Sequence, residues 1–207
     1  MIYYDSSDGQ LFHDMWNDVI EETYIMLKEN QCETTGLYTN WWVPSRCPYC
    51  GNGGTAGCGG SGTSSAEYGS EAGRTVWRVM LDALWYDSPD AIMMNDRVVE
   101  EMNAKVPTQG NLGTPSSCAV QSIHPDWYGL MFMFGPSVSS LVYPHSNLTN
   151  ASAQQNAIDI AGDHLQSHYI NTAVPLNATY YRDSWNVIAT FTLAGDVARL
   201  KSVITNM

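Results

Sequence analysis

Six positions near the N-terminus narrow the folds open to this chain. Between residues 10 and 29, Trp16, Val19, Ile20, Thr23, Tyr24 and Leu27 fall at i, i+3, i+4, i+7, i+8 and i+11, one stripe along an α-helix. The spacing predicts a helix that buries this stripe, Trp16 included. The same period returns along the chain. A second helix is expected over 71–86, with Ser70 as N-cap and Trp77, Met80, Leu81 and Leu84 as its stripe. Pro89 can open a third, which Pro107 ends. A fourth is expected in WYGLMFMFGPSVSSLVY (127–143), interrupted near Gly135 and Pro136, and a fifth in ASAQQNAIDIAGDHLQSHYI (151–170). The last runs over about 179–194, is stopped by Gly195 and leads into a short tail helix. Trp85 and Trp185 are assigned to the core with Trp16. No comparable stretch alternates with period two, so the fold class expected is all-α, in a single domain over 1–207.

The connections alternate in length. Loops 30–69 and 107–125 are long; 87–89 and 144–150 are short. Six helices in that rhythm read as three helical hairpins with the long loops gathered at one end. The first loop is rich in Gly and Cys, and loops of this length in a compact domain usually carry function.

Charge limits the partners. The chain has 21 acidic residues against 9 basic, a net charge of −12, which repels polyphosphate and argues against nucleic acid. No run of 18 apolar residues is present, so no membrane span is expected. The opening MIYYDSSDGQ has neither the basic nor the apolar region of a signal peptide. Few Lys, many Asn, Ser, Thr and aromatics, five Cys and sequons at Asn147, Asn150 and Asn177 nevertheless fit a secreted, extracellular protein. The CPYCG at Cys47–Gly51 resembles one knuckle of a zinc ribbon, although no second CxxC follows. Disulfides within 32–58, bracing the long loop, and free thiols are the other readings. His164 and His168 stand i, i+4, a spacing able to hold a metal, but solvent-facing histidines are expected. No cofactor and no metal is expected.

The segment YGSEAGRTVWR, residues 68–78, concentrates charge in a chain that is only 14% charged. Glu71, Arg74, Arg78 and Asp82 follow at i, i+3, i+7 and i+11, which on a surface helix is an ordinary ion-pair ladder of little energy. The same residues lie at a helix start, beside Trp77 and after a long polar loop, where loop and helix can form a cleft rim.

SEAGRTVWRVMLDALWY (70–86) resembles the Tyr-Asp-Ala-x-Arg-x-Pro-Trp-Arg segment, with its aliphatic helix ending in Trp-Tyr, of glycoside hydrolase family 8. That family holds inverting endo-glycanases acting on cellulose, mixed-linkage β-glucan, xylan or chitosan. DMWNDVIEETYIMLKE resembles the helix before this motif, TTGLYTNWW its Thr-Gly-Leu-x-Pro-Asp-Trp loop, and YYRDSWNVIATFTLAG its last core helix. The family fold is an (α/α)6 toroid of six helical hairpins, of which the resemblance implies about three, the C-terminal half.

The resemblance implies roles for single residues. Glu71 stands at the catalytic base, normally Asp, and Arg74 at the Arg beside it. Trp77 and Arg78 match the Trp-Arg that follows, while Ser70 replaces Tyr and Val76 replaces Pro. Glu67 is the alternative base, matching members that draw theirs from the preceding loop. Inversion needs a second, protonated carboxyl ~6.5–9.5 Å from the base. The family's acid lies in a Ser-Glu-Gly context that this chain lacks, and Glu33, Asp126 and Asp183 are the stand-ins; capping is the other reading of the two Asp. Trp41, Trp42, Trp127, Tyr128, Tyr180 and Tyr181, in loops or at helix starts, are candidate sugar platforms alongside Trp77 and Arg78. The implied activity is endo-hydrolysis of a β-1,4-linked polysaccharide, cellulose or β-glucan first. The alternative is a catalytically incomplete chain that binds glycan through exposed aromatics. It entails an exposed hydrophobic flank and self-association.

Overall fold

Helix ends fall where backbone chemistry puts them. The computed structural model describes residues 7–40, 42–43, 55–56, 68–110, 112–114, 119–120, 133–144, 151–171 and 180–205. Within these, α1 spans Ser7–Asn30, α2 Ser70–Tyr86, α3 Pro89–Lys105, α4 Phe134–Val138, α5 Ala151–Asn171, α6 Tyr180–Leu193 and α7 Asp196–Thr205. Pro89 occupies the first turn of α3, where its missing N–H leaves no bond unmade. Asp87 closes α2 in a left-handed conformation (φ 53°), its N–H donating to the Ala83 carbonyl. Among the described residues, strands amount to two antiparallel ladders of two residues each. Trp42–Val43 pairs with Thr55–Ala56 and Gly113–Thr114 with Ala119–Val120, both inside the long loops. The protein is all-α.

Helix α4 begins at Phe134, and Pro136 lies in its first turn, where an N–H has no intrahelical acceptor. Residues 127–132, the first part of the expected helix, lie outside the described residues. A 3-10 turn, Ser139–Val142, follows directly. Every residue from Met133 to Leu141 is buried, so this short segment forms a hub on which α2, α3, α5 and α6 converge. Ser137 Oγ lies 2.5 Å from both the Met133 carbonyl and the Tyr68 hydroxyl, tying the hub to the residue two before α2.

The apolar stripes are only partly the predicted ones. On α2 the buried face is Ala72, Val76, Val79, Met80 and Ala83, with Trp77, Leu81 and Leu84 half-covered; α3, α4 and α7 enclose it from several sides. Helix α1 requires a larger correction. Tyr24 is buried and Leu27 packs against the core, but Trp16 (65% exposed), Val19, Ile20 and Thr23 face solvent. Trp16 is therefore no core residue. Periodicity reports that a helix owns an apolar face, not that a neighbour covers it. Trp85 and Trp185 are half-buried, and Trp85 Nε1 donates to the Val197 carbonyl at 3.2 Å.

The chain from Gln31 to Thr39 is unusual for a loop in being largely buried, so its polar groups need partners within the protein. Gln31 Nε2 lies within bonding distance of the carbonyls of Gly36 (2.9 Å) and Met94 (2.9 Å) and of the Tyr38 hydroxyl (3.1 Å). Cys32 N donates to the Leu37 carbonyl, Gly36 N to the Cys32 carbonyl, and Cys32 is disulfide-bonded. Cys47, Cys50, Cys58 and Cys118 lie outside the described residues.

Burial pushes the Tyr38 and Tyr68 phenols well above the ordinary value of 10.0. In the folded chain they keep their protons where the unfolded chain loses them. The stability they contribute is thus complete below pH 10 and lost as pH rises beyond it. Denaturant midpoints are expected to fall above pH 10, by up to about 1.4 kcal/mol per pH unit for each phenol. Tyr38→Phe should make that decline shallower, and an unchanged slope would remove Tyr38 as its cause.

Candidate functional site

The site begins with a helix start that its own sequence does not cap. Gly69, not Ser70, is the N-cap residue of α2, and it supplies no side-chain bond. The acceptor comes from 31 residues upstream. Asn40 Oδ1 receives the N–H of Glu71 at 2.9 Å and that of Ala72 at 3.1 Å. Asn40 follows Thr39, whose N–H and hydroxyl both donate to Asn30 Oδ1, at 2.9 and 2.7 Å. The last residue of α1 is thereby linked through the loop to the first turn of α2. A Cβ on Gly69 would come within 2.8 Å of Asn40 Nδ2, so glycine is what leaves room for the Asn40 side-chain amide against the helix start. Asn40→Ala leaves both amides without their acceptor and is expected to cost about 1–2 kcal/mol. Asn40→Asp keeps the acceptor and should retain most of that stability in a urea titration.

Glu71 projects from this clamped turn and pairs through Oε2 with Arg74 Nη2; the side chains are 32% and 26% exposed. The Arg74 guanidinium lies over the Tyr181 ring, 5.5 Å from its centroid, at the start of α6. Burial raises the Tyr181 phenol above 10.0, while the charges of Arg74 and Arg78 work in the opposite direction. Arg74 Nε has no hydrogen-bond partner among the described residues. Tyr180, next to Tyr181, is 86% exposed.

The ladder inferred from spacing does not run the length of α2. Among the described residues of the ladder, Glu71 and Arg74 alone form an ion pair. Asp82 instead accepts the Tyr24 hydroxyl from α1, and Arg78 is exposed without an ion pair among the described residues. Arg78 and Asp82 border a groove of about 330 Å³ between α1 and α2.

The remaining candidates are distributed more widely. Trp77 sets its ring edge-to-face against Trp185 (5.4 Å, 74°), and its Nε1 donates to Thr192 Oγ1 at 3.4 Å, so it fastens α2 to α6. Trp42 lies in the first ladder, opposite Ala56. Glu33 is exposed. Asp183 accepts from Arg182 Nε at 2.9 Å, which binds its carboxylate to a cation. Glu67, Trp41, Trp127, Tyr128 and Asp126 lie outside the described residues, as does the side chain of His168. His164 packs edge-on against Phe134 (5.0 Å) and is half-buried, not solvent-facing. No group of three or more His, Cys, Asp or Glu able to hold a metal occurs among the described residues, and no described helix is long and apolar enough to cross a membrane.

Asn40 was not legible as a site residue, since capping a helix 31 residues away leaves no local pattern. Its one trace is its place in TTGLYTNWW. No protein-family model matches this chain, and neither a curated protein nor a solved structure matches it.

Proposed function

We propose that this chain hydrolyses a β-1,4-linked glucan, cellulose or mixed-linkage β-glucan, by inversion, with Glu71 as the general base. The observation that carries the reading is the arrangement around Glu71. Its backbone is clamped by Asn40, its carboxylate faces the Arg74 guanidinium, and the Tyr181 ring stands beneath that guanidinium. A helix N-terminus and a guanidinium both favour a negative charge at this point, the state a base needs. In the reaction Glu71 takes a proton from a water whose oxygen bonds to the anomeric carbon. The glycosidic C–O bond breaks as its oxygen receives a proton from a second carboxyl. Tyr180 offers an exposed ring as a sugar platform. The architecture belonging to this reading is a partial (α/α)6 toroid of about three hairpins. The Cys32 disulfide supports an extracellular setting.

The test is reducing-end release from carboxymethyl-cellulose, mixed-linkage glucan, xylan and chitosan by folded protein. The anomer formed is followed by NMR. Inverted product from a β-glucan supports the reading, and no release from any of the four polymers rejects it.

One observation favours a second reading, a catalytically incomplete chain that only binds glycan. Met15, Trp16, Val19 and Ile20 of α1 form an exposed apolar flank, which that alternative entails. Retardation of the protein in a glucan-containing gel without turnover would support it.

A further inference from the structure

Helices α5 and α6 border a groove of about 730 Å³, within the size range of small-ligand sites. Its α5 wall runs from Ile158 to Gln166, about 12 Å of helix, and its α6 wall is the end of that helix, at Thr190 and Leu193. Helical spacing sorts the α5 side chains. Ile158, Gly162 and Leu165 fall at i, i+4 and i+7 and form the floor, with Leu193 across from them. Asp159, Asp163 and Gln166 repeat that spacing one residue further round and form the rim. Burial agrees: Leu165 is buried, whereas Asp159, Asp163 and Gln166 are exposed. Gly162 deepens the floor. A Cβ added there would meet nothing within 4 Å, and glycine is a poor residue for the interior of a 21-residue helix. Packing within the chain does not call for it, and the space it leaves open belongs to the groove.

Hydrogen-bond chemistry and charge together select the ligand. The polar groups around the groove accept and scarcely donate. A carboxylate only accepts, and that of Asp159 takes the Gln155 amide on one oxygen, at 2.8 Å. Thr190 commits its hydroxyl proton to the Asn186 carbonyl at 2.9 Å and keeps its lone pairs. Gln166 alone among the lining side chains brings free N–H donors, and no described Lys or Arg lines the groove. Such a rim suits a head group with several donors and no acceptor, which is an ammonium. Carboxylates and phosphates are repelled. A sugar hydroxyl, which also accepts, finds one donor-bearing side chain. The apolar floor takes a hydrocarbon body. We propose that the α5–α6 groove binds a small organic cation, an amine whose ammonium meets Asp159 and Asp163 and whose hydrocarbon body lies over Ile158, Gly162 and Leu165. Thr190 stands nine residues beyond Tyr181, about 14 Å along α6. The groove is thus separate from the Glu71 pair, and the proposal does not depend on the hydrolytic reading.

The experiment titrates the whole chain with hexylammonium, hexanol and hexanoate, which share one hydrocarbon body, by ligand-observed NMR. Hexylammonium is expected to bind saturably, at least about tenfold more tightly than hexanol, the scale of one charge-assisted hydrogen bond. Hexanoate should not bind. Gly162→Leu fills the floor, changes no charge and meets open space at its Cβ. It should weaken hexylammonium binding at least about tenfold, because the body of the ligand then has no room. Asp159→Asn/Asp163→Asn keeps the shape at two exposed positions and should bring hexylammonium down to the affinity of hexanol. Equal binding of hexylammonium to Gly162→Leu would mean undirected attraction to an acidic chain and would overturn the proposal. Binding unchanged in the Asn variant overturns it as well, whether or not Gly162→Leu folds. The same holds for hexanol binding as tightly as hexylammonium, or for no saturable binding at all. Self-association abolished by Gly162→Leu in sedimentation would assign the groove to a second copy instead.

Discussion

Glu71→Gln is expected to lower polysaccharide turnover by about 10²–10⁴-fold, the contribution of a general base in the transition state. The amide is nearly isosteric and leaves the Asn40 clamp untouched, because that clamp holds the backbone N–H of Glu71 and not its side chain. The lost ion pair with Arg74 is about one-third exposed, so stability should change by no more than about 1 kcal/mol. Activity and stability therefore separate in this variant, and unfolding measured beside turnover identifies a chemical loss. A Gln variant as active as the parent would exclude Glu71 as base and direct attention to Glu67.

Gly36→Ala is expected to be strongly destabilising. Gly36 has φ +70°, where an L side chain is strained by about 1–2 kcal/mol. Its added Cβ would also come to 2.6 Å from Val98 N and 2.7 Å from the Arg97 carbonyl carbon, which are helix backbone and cannot turn aside. Together these should cost about 3 kcal/mol or more. For a chain of this size that is a Tm lower by about 6–12 °C. Gly162→Ala is the control. It lies inside α5 with nothing within 4 Å of the new Cβ, so it should raise stability by about 0.5–1 kcal/mol. Equal effects at the two positions would show that the burial of loop 31–39 does not govern stability.

What was legible in the sequence follows from what each signal encodes. Helices announced by a terminator of their own were found in place, as with Pro89 opening α3 and Gly195 separating α6 from α7. Helix α4 offers no polar face from which a period could be judged, because every residue from Met133 to Leu141 is buried. Trp16 was misplaced because an apolar stripe has the same spacing whether its cover lies in this chain or elsewhere. In the site, Glu71 and Arg74 could be picked out because i, i+3 neighbours on a helix must meet. Arg78 and Asp82 obey the same arithmetic, yet Tyr24, 58 residues before Asp82, takes one of them away. Spacing along one helix says nothing of a competitor on another.

Helix α2 also has a history during synthesis. Its indole at Trp77 is held by Thr192, 115 residues later, its indole at Trp85 by Val197, 112 residues later, and its Leu84 carbonyl by Lys201, 117 residues later. The helix that carries Glu71 therefore leaves the ribosome long before the segments that enclose it. At about 5–20 residues per second the wait lasts roughly 6–23 s. Through that interval one flank of α2 stays open to water and to chaperones. The nascent chain can complete its core only after α6 and α7 have emerged.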